Sequence, residues 1–270
     1  CSYCSVAASS SHGRYRKRPV SSIVEEIRLQ VEQNDVGFID FEDENLCLDR
    51  SWFDDLFSRL EPVLAGKDIE LRAMNGLYPP SLTEEVIRTL SRSGFKTLNL
   101  ALATTCPDQL VRFNRKNVSR SLEQILAQAP KFGLNAVTYI IGAAPGQDPY
   151  RSLDDLVYLA RLNTIIGFSV FYPAPGSIDY QTCTQRHLLP DTFEQMRSTA
   201  LPIEDKTSRI QSVTLLRLAR IINFIKALKQ DGFQPIVPEK FYPCILPLSD
   251  DRRGNTLKLI QWCLNDGKIR

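Results

Sequence analysis

Ala136-Val137-Thr138-Tyr139-Ile140-Ile141-Gly142 is an apolar run rich in β-branched residues; a helical pattern at Ser152–Leu162 and a second apolar run at Ile165–Tyr172 follow it. Short runs with few interior charges, closed by turn residues, read as buried strands. A strand, a helix and a strand in this order read as one β/α/β unit. The same reading applies to Val36–Phe41, Ile69–Met74 and Thr97–Ala103, and the five runs start 28 to 39 residues apart, the length of one βα unit. Helical patterns fill the gaps: Ser22–Gln33, Ser51–Leu64, Ser81–Ser93 with a capping-box spacing at Ser81–Glu84, and Ser119–Phe132 with Gly133 as its stop. Strands alternating with helices imply an α/β fold with a parallel sheet covered on both faces. The pattern leaves open whether that sheet closes as a barrel or is doubly wound.

After Tyr172 the pattern changes. Pro173-Ala174-Pro175-Gly176-Ser177 breaks it, an irregular stretch runs to Lys206, and Ser208–Gln230 is a long amphipathic helix. Residues 232–251 read as a Pro-rich loop and Asn255–Leu264 as a short helix. The expected organisation is a β/α core over residues 1–180 and a mostly helical extension over 181–270.

Composition sets the class. With 43% hydrophobic and 24% charged residues in 270, the chain is globular. Its net charge of +2 gives no argument for a nucleic-acid partner. The longest apolar stretches, Ala136–Pro145 and Ile165–Pro175, fall short of the roughly 18 residues a spanning helix needs. Seven cysteines without a regular framework argue against a disulfide-stapled secreted domain, so a cytoplasmic location is expected. No phosphate-binding glycine loop is present, and neither histidine is placed to complete a nucleophile–base pair. Residue 1 is Cys rather than Met, which reads as a fragment.

Cys1-Ser2-Tyr3-Cys4 places two thiols three apart, a spacing that lets both reach one metal ion. Taken alone it is equally a redox pair, half of a zinc site or two unrelated thiols. Asp40-Phe41-Glu42-Asp43-Glu44-Asn45 is on its own a solvated acidic turn or a polar ligand set. Cys47, Cys106, Cys183, Cys244 and Cys263 are scattered and read as small core residues; His187 reads as structural, and Asn114-Arg115-Lys116 as a helix cap.

In order along the chain, these segments resemble the radical S-adenosylmethionine superfamily, whose signature is C-x-x-x-C-x-aromatic-C. On that resemblance Cys1 and Cys4 are the second and third ligands of a [4Fe-4S] cluster, Tyr3 is the aromatic before the last, and the first ligand and first strand lie before residue 1. Glu42-Asp43-Glu44-Asn45 is similar to the motif that holds the methionine amino group. Thr97–Thr105 with Leu110 and Phe113-Asn114-Arg115 is similar to the next strand and helix, but Ala103 stands where the family has Glu, so Asn99 or Thr104 is expected to substitute. Tyr139–Gln147, with Ile141 and Gly142, is similar to the segment that flanks the adenine, and Phe171–Ser177, with Pro173, to the end of the last strand. Each of these segments closes a strand, at the rim where β/α barrels carry their chemistry.

The resemblance implies a partial parallel β/α barrel of the radical S-adenosylmethionine type, lacking its first strand. It also implies an enzyme that cleaves S-adenosylmethionine reductively to a 5′-deoxyadenosyl radical, with an external electron donor and a small-molecule or peptide substrate. The variants at 42–45 and 139–147 are most like the branch often fused to a cobalamin-binding domain. With one cluster cysteine outside it, this chain is expected to be inactive alone. The alternative is a non-catalytic β/α module with zinc, or nothing, at the two cysteines.

Overall fold

The structure is a computed structural model that describes residues 1–4, 16–43, 45–195 and 201–232. Its order is α1 (Val20–Gln33), β1 (Phe38–Asp40), α2 (Arg50–Leu64), β2 (Glu70–Arg72), α3 (Glu84–Arg92), β3 (Thr97–Ala103), α4 (Pro107–Arg112), α5 (Ser119–Gln128), β4 (Asn135–Gly142), α6 (Pro149–Ala160), β5 (Ile165–Val170), α7 (Ile178–Gln185) and α8 (Arg209–Gln230).

β1 pairs with β2, β3 with β4, and β4 with β5, all in parallel. Two parallel bridges, Leu71 to Phe95 and Leu77 to Leu100, carry the ladder from the β2 side to β3. The Leu77 amide donates to the Asn99 carbonyl at 2.6 Å, and the Ala101 amide donates back to the Leu77 carbonyl at 3.0 Å. Spatial order therefore equals sequence order. A doubly wound sheet reverses direction at a switch point. No reversal occurs among the described strands, so the crossover helices share one side and the sheet curls as part of a barrel.

The core explains the helix positions. Phe53, Leu56, Phe57 and Leu60 of α2 recur at i, i+3, i+4 and i+7 and are all buried. Asp49 caps this helix by accepting the Trp52 amide at 3.0 Å. The capping box expected at Ser81 does not form. Pro79 and Pro80 draw Pro79–Ser81 into a 3₁₀ turn, the Ser81 hydroxyl donates to the Tyr78 carbonyl, and Thr83 becomes the cap of α3. Similarly, α5 stops at Gln128, and Ala129–Phe132 continues as a 3₁₀ turn that ends at Gly133 with φ +68°.

α8 starts with a capping box between Ser208 and Gln211. Leu215 and Ala219 join the main core. Asn223 reaches the edge of β5 that no strand pairs with among the described residues: its Oδ1 accepts the Ile166 amide at 2.8 Å and its Nδ2 donates to the Ile166 carbonyl at 2.9 Å. Lys226 donates to the carbonyls of Leu159, Leu162 and Thr164 at the end of α6. The loop expected at 232–251 and the helix at Asn255–Leu264 lie outside the described residues, apart from Gly232. A second, smaller core gathers Ala103, Phe113, Ala144, Phe171, Cys183 and Ile203 above the strand ends. It is the floor on which the site is built.

Candidate functional site

A cavity of about 710 Å³ opens at the C-terminal ends of β3, β4 and β5, within the size range of small-ligand sites. Cys1, Tyr3, Cys4, Asn45 and Ile141 line it, together with Met74, Asn75, Tyr78, Arg115, Lys116, Tyr139 and Ser169.

The cysteine segment is fastened to α4. The Ser2 amide donates to the Phe113 carbonyl at 3.0 Å, and the Tyr3 ring meets Phe113 edge-on at 4.9 Å. Asn114, with φ +50°, turns the chain after α4 so that Arg115 points back. Arg115 then donates to the Tyr3 hydroxyl at 2.6 Å and to the Ala101 carbonyl at 3.1 Å. Burial pushes the Tyr3 hydroxyl above its ordinary pKa, against the pull of the Arg115 charge. The phenol therefore stays protonated and rigid.

The loop after β1 is tied to the loop after β2. Asp40 accepts the Met74 amide at 3.0 Å, and Asn75 donates to the Glu42 carbonyl at 2.8 Å. Glu42 and Asp43 are exposed and do not line the cavity; Glu44 lies outside the described residues. Asn45 does line it, and its buried side-chain oxygen has no hydrogen-bond donor among the described residues. An acceptor left in this condition is costly unless a ligand supplies the donor.

Two strand ends are strained. Ala103, after a bulge in β3, and Ala143, after β4, have φ of +71° and +64°. For a residue with a Cβ this conformation costs about 1–2 kcal/mol. Buried polar side chains hold both. Asp155 of α6 accepts the Thr104 hydroxyl at 2.6 Å, the Thr105 amide at 2.7 Å and the Thr105 hydroxyl at 2.5 Å. Its burial raises the carboxyl pKa, and the threonine donors oppose the rise. Gln147 accepts the Ala144 amide and donates to the Ile141 carbonyl, both at 3.0 Å. Asp205 accepts the Gly146 amide at 2.6 Å, and Thr207 donates to the Gln147 carbonyl.

Several expected contacts are therefore placed elsewhere. The Thr104 hydroxyl is fully buried and bound to Asp155, so it is not presented to the cavity. Asn99 lies one layer below, accepting the Tyr139 hydroxyl at 3.0 Å. Gly142 packs under Phe168, where an added Cβ would come within 2.1 Å of the ring. Pro173 is buried off the cavity. Arg115, Gln147 and Asp155 take these roles through contacts that local pattern does not show, although the first two stand inside the motif segments. Asp155 has a sequence signal of its own: Ser152, Asp155, Leu156 and Leu159 share the buried helical spacing of α6.

The thiols divide into two kinds. Burial pushes Cys47 up to about 12 and Cys183 up to about 11, which keeps both as thiols. Cys1 and Cys4 face the cavity, and no group of three or more His, Cys, Asp or Glu gathers around a common point among the described residues. The residues present thus fit two sulfur ligands of an iron–sulfur cluster and a polar ligand site beside them, but not a complete zinc site.

Residues 1–157 match the sequence model of the radical SAM superfamily. The chain belongs to that superfamily. The family uses a [4Fe-4S] cluster and S-adenosylmethionine, and its members are enzymes. Among solved structures, the chain resembles the radical S-adenosylmethionine methyltransferase TsrM from Kitasatospora setae, with cobalamin and a [4Fe-4S] cluster bound. There the TM-score is 0.59 at 16% identity, over 72% of this chain and 36% of that one. The cobalamin-dependent radical enzyme OxsB gives a TM-score of 0.52 at 9% identity, over 93% of this chain and 42% of that one. Coproporphyrinogen III oxidase HemN from Escherichia coli gives 0.50 at 19% identity, over 80% and 46%. At these identities the likeness is one of fold, and it agrees with the partial barrel. The chain spans 36% of the length of TsrM. No curated protein matches the chain. No helix among the described residues is long and apolar enough to cross a membrane.

Proposed function

We propose that this chain is the catalytic core of an enzyme that holds a [4Fe-4S] cluster through Cys1 and Cys4 and binds S-adenosylmethionine in the cavity beside them. The observation that carries this reading is the convergence, on one cavity at the strand ends, of both thiols and the Asn45 oxygen, which has no donor among the described residues. When bound, the cluster supplies the electron that cleaves the sulfonium. The described residues provide two of its sulfur ligands, and another protein ligand comes from elsewhere.

The chain's own residues bind and orient. Asn45 accepts from the methionine ammonium, in the role expected of the 42–45 motif. Arg115 and Lys116 make the cavity positive, with no acidic side chain among its described lining residues, which suits the methionine carboxylate. Ile141 offers an apolar wall to the adenine, and Tyr3, held by Phe113 and Arg115, fixes the chain between the two thiols. Tyr139 and Ser169 leave a polar floor for a small-molecule or peptide substrate. An external reductant supplies the electron. The cobalamin in TsrM and OxsB supports a branch in which a cobalamin-binding region outside this chain takes part, and a cytoplasmic location suits two reduced thiols.

The test is anaerobic reconstitution of the protein that carries this chain, with iron and sulfide analysis and measurement of 5′-deoxyadenosine after addition of a reductant. Cys1→Ala and Cys4→Ala should each lose the cluster absorbance and the product. A Cys4→Ala protein that keeps both would remove the basis of the proposal.

A further inference from the structure

The proposed ligand loop is held from two sides, and only one lies within the residues that match the family. Phe113 and Arg115 hold it from α4. On the other side stands α7, beyond residue 157, where the family match ends. The Ser2 hydroxyl donates to Asp179 Oδ2 at 3.0 Å, and the Asp179 amide donates to the Ser2 carbonyl at 3.0 Å. With the Ser2 amide donating to the Phe113 carbonyl, every polar group of Ser2 is engaged, and the residue is only 5% exposed.

The support behind Asp179 is stiff. Ser177 caps α7 by accepting the Tyr180 amide at 3.0 Å and is itself buried. One turn later Cys183, fully buried, anchors the helix in the upper core beside Ala103, Phe113 and Phe171. Arg186, at the end of α7, forks onto Asp205 at 2.6 and 3.0 Å, and Asp205 holds the Gly146 amide after β4. One segment of chain thus grips both the cysteine loop and the turn at the end of β4.

We propose that Asp179 is a positioning residue for the two-thiol loop, fixing Ser2 so that Cys1 and Cys4 face the cavity. Ser2 lies between the two thiols, so its backbone direction sets theirs. A site held within about 0.5 Å needs support of this kind behind its ligands. The inference rests on the reading of Cys1 and Cys4 as cluster ligands.

The test compares wild type, Asp179→Ala, Asp179→Asn, Ser2→Ala and the Ser2→Ala/Asp179→Ala pair in the reconstituted protein. The readouts are the rate of iron release to a chelator and the electron paramagnetic resonance signal of the reduced cluster, with and without S-adenosylmethionine. Loss of one hydrogen bond to a charged acceptor should speed iron release in Asp179→Ala by about 10-fold. It should also alter the change in signal that S-adenosylmethionine produces. Asp179→Asn keeps an acceptor and the main-chain donor and should recover most of the wild-type behaviour. The pair should be no worse than Asp179→Ala, since both changes break the same contact. If wild type takes up a cluster while Asp179→Ala matches it in release rate and signal, the inference fails alone. If wild type takes up none, the reading of Cys1 and Cys4 fails first. Should Asp179→Ala not fold, Ser2→Ala decides: an unchanged signal overturns the proposal.

Discussion

Asp155 gives the sharpest test of how the rim is held. It is 1% exposed and accepts three hydrogen bonds from the turn after β3, where Ala103 is left-handed. Asp155→Ala leaves the enclosed Thr104 hydroxyl without an acceptor, although it still accepts the Cys106 amide, and leaves the Thr105 amide without its partner, at about 1–3 kcal/mol each. Relief of the buried carboxylate returns part of this, leaving a loss of roughly 2–3 kcal/mol. For a chain of this size that lowers the melting temperature by about 4–12 °C. Asp155→Asn keeps the shape and an acceptor for Thr105, so it should fall by about half as much. Scanning calorimetry and urea unfolding measure both variants, and binding of S-adenosylmethionine should weaken as the Ala103 turn relaxes. An Asp155→Ala protein that melts within about 1 °C of wild type would refute the reasoning, because the strained turn would then need no anchor.

Three other outcomes are expected. Gly167→Ala would place a Cβ 2.4 Å from the Tyr139 ring; unfolding should show a loss of about 1–3 kcal/mol, recovered in part when Tyr139→Leu is added. Asn45→Ala should keep the cluster's absorbance and weaken S-adenosylmethionine binding by about 10- to 150-fold, read by equilibrium titration. Burial pushes Lys226 down to about 8 from the 10.5 of a free lysine. Between those values the unfolded chain binds more protons, so this group's contribution to stability rises with pH from about 8 to 10.5. Denaturation of wild type and Lys226→Met at pH 8 and 10 checks the sign.

How far the sequence could be read depended on distance along the chain. β3 appears with the bounds its apolar run implies, Thr97 to Ala103, because a strand with paired neighbours is buried along its length. β1 and β2 have only three residues each, shorter than the runs at Val36–Phe41 and Ile69–Met74, because their ladder stops where the chain turns into the rim loops. The choice of a barrel over a doubly wound sheet depends on two single bridges, Leu71 to Phe95 and Leu77 to Leu100, which no periodicity announces. At the site, Cys1, Tyr3, Cys4, Asn45 and Ile141 came from ordered motifs and meet in one cavity. The acidic residues Glu42 and Asp43 sit in the same motif yet face solvent, with no ion pair among the described residues. Thr104 resembles a cofactor contact until Asp155, 51 positions later, is seen to claim its hydroxyl. Contacts of that span are set by packing, which local pattern does not encode.

The amide of Asn223 has a consequence for how the molecule behaves in a crowd. Its two hydrogen bonds imitate, for one residue of β5, the pairing another strand would make. A strand that received such pairing would in turn present its own far edge, and the problem of an open edge would move outward by one place. A side chain has no far edge. Asn223 therefore acts as a stopper, and the helix behind it shows other chains no backbone to copy. At Ile166 the edge is thus closed by a single carboxamide, at a position that lines neither the cysteine loop nor the cavity.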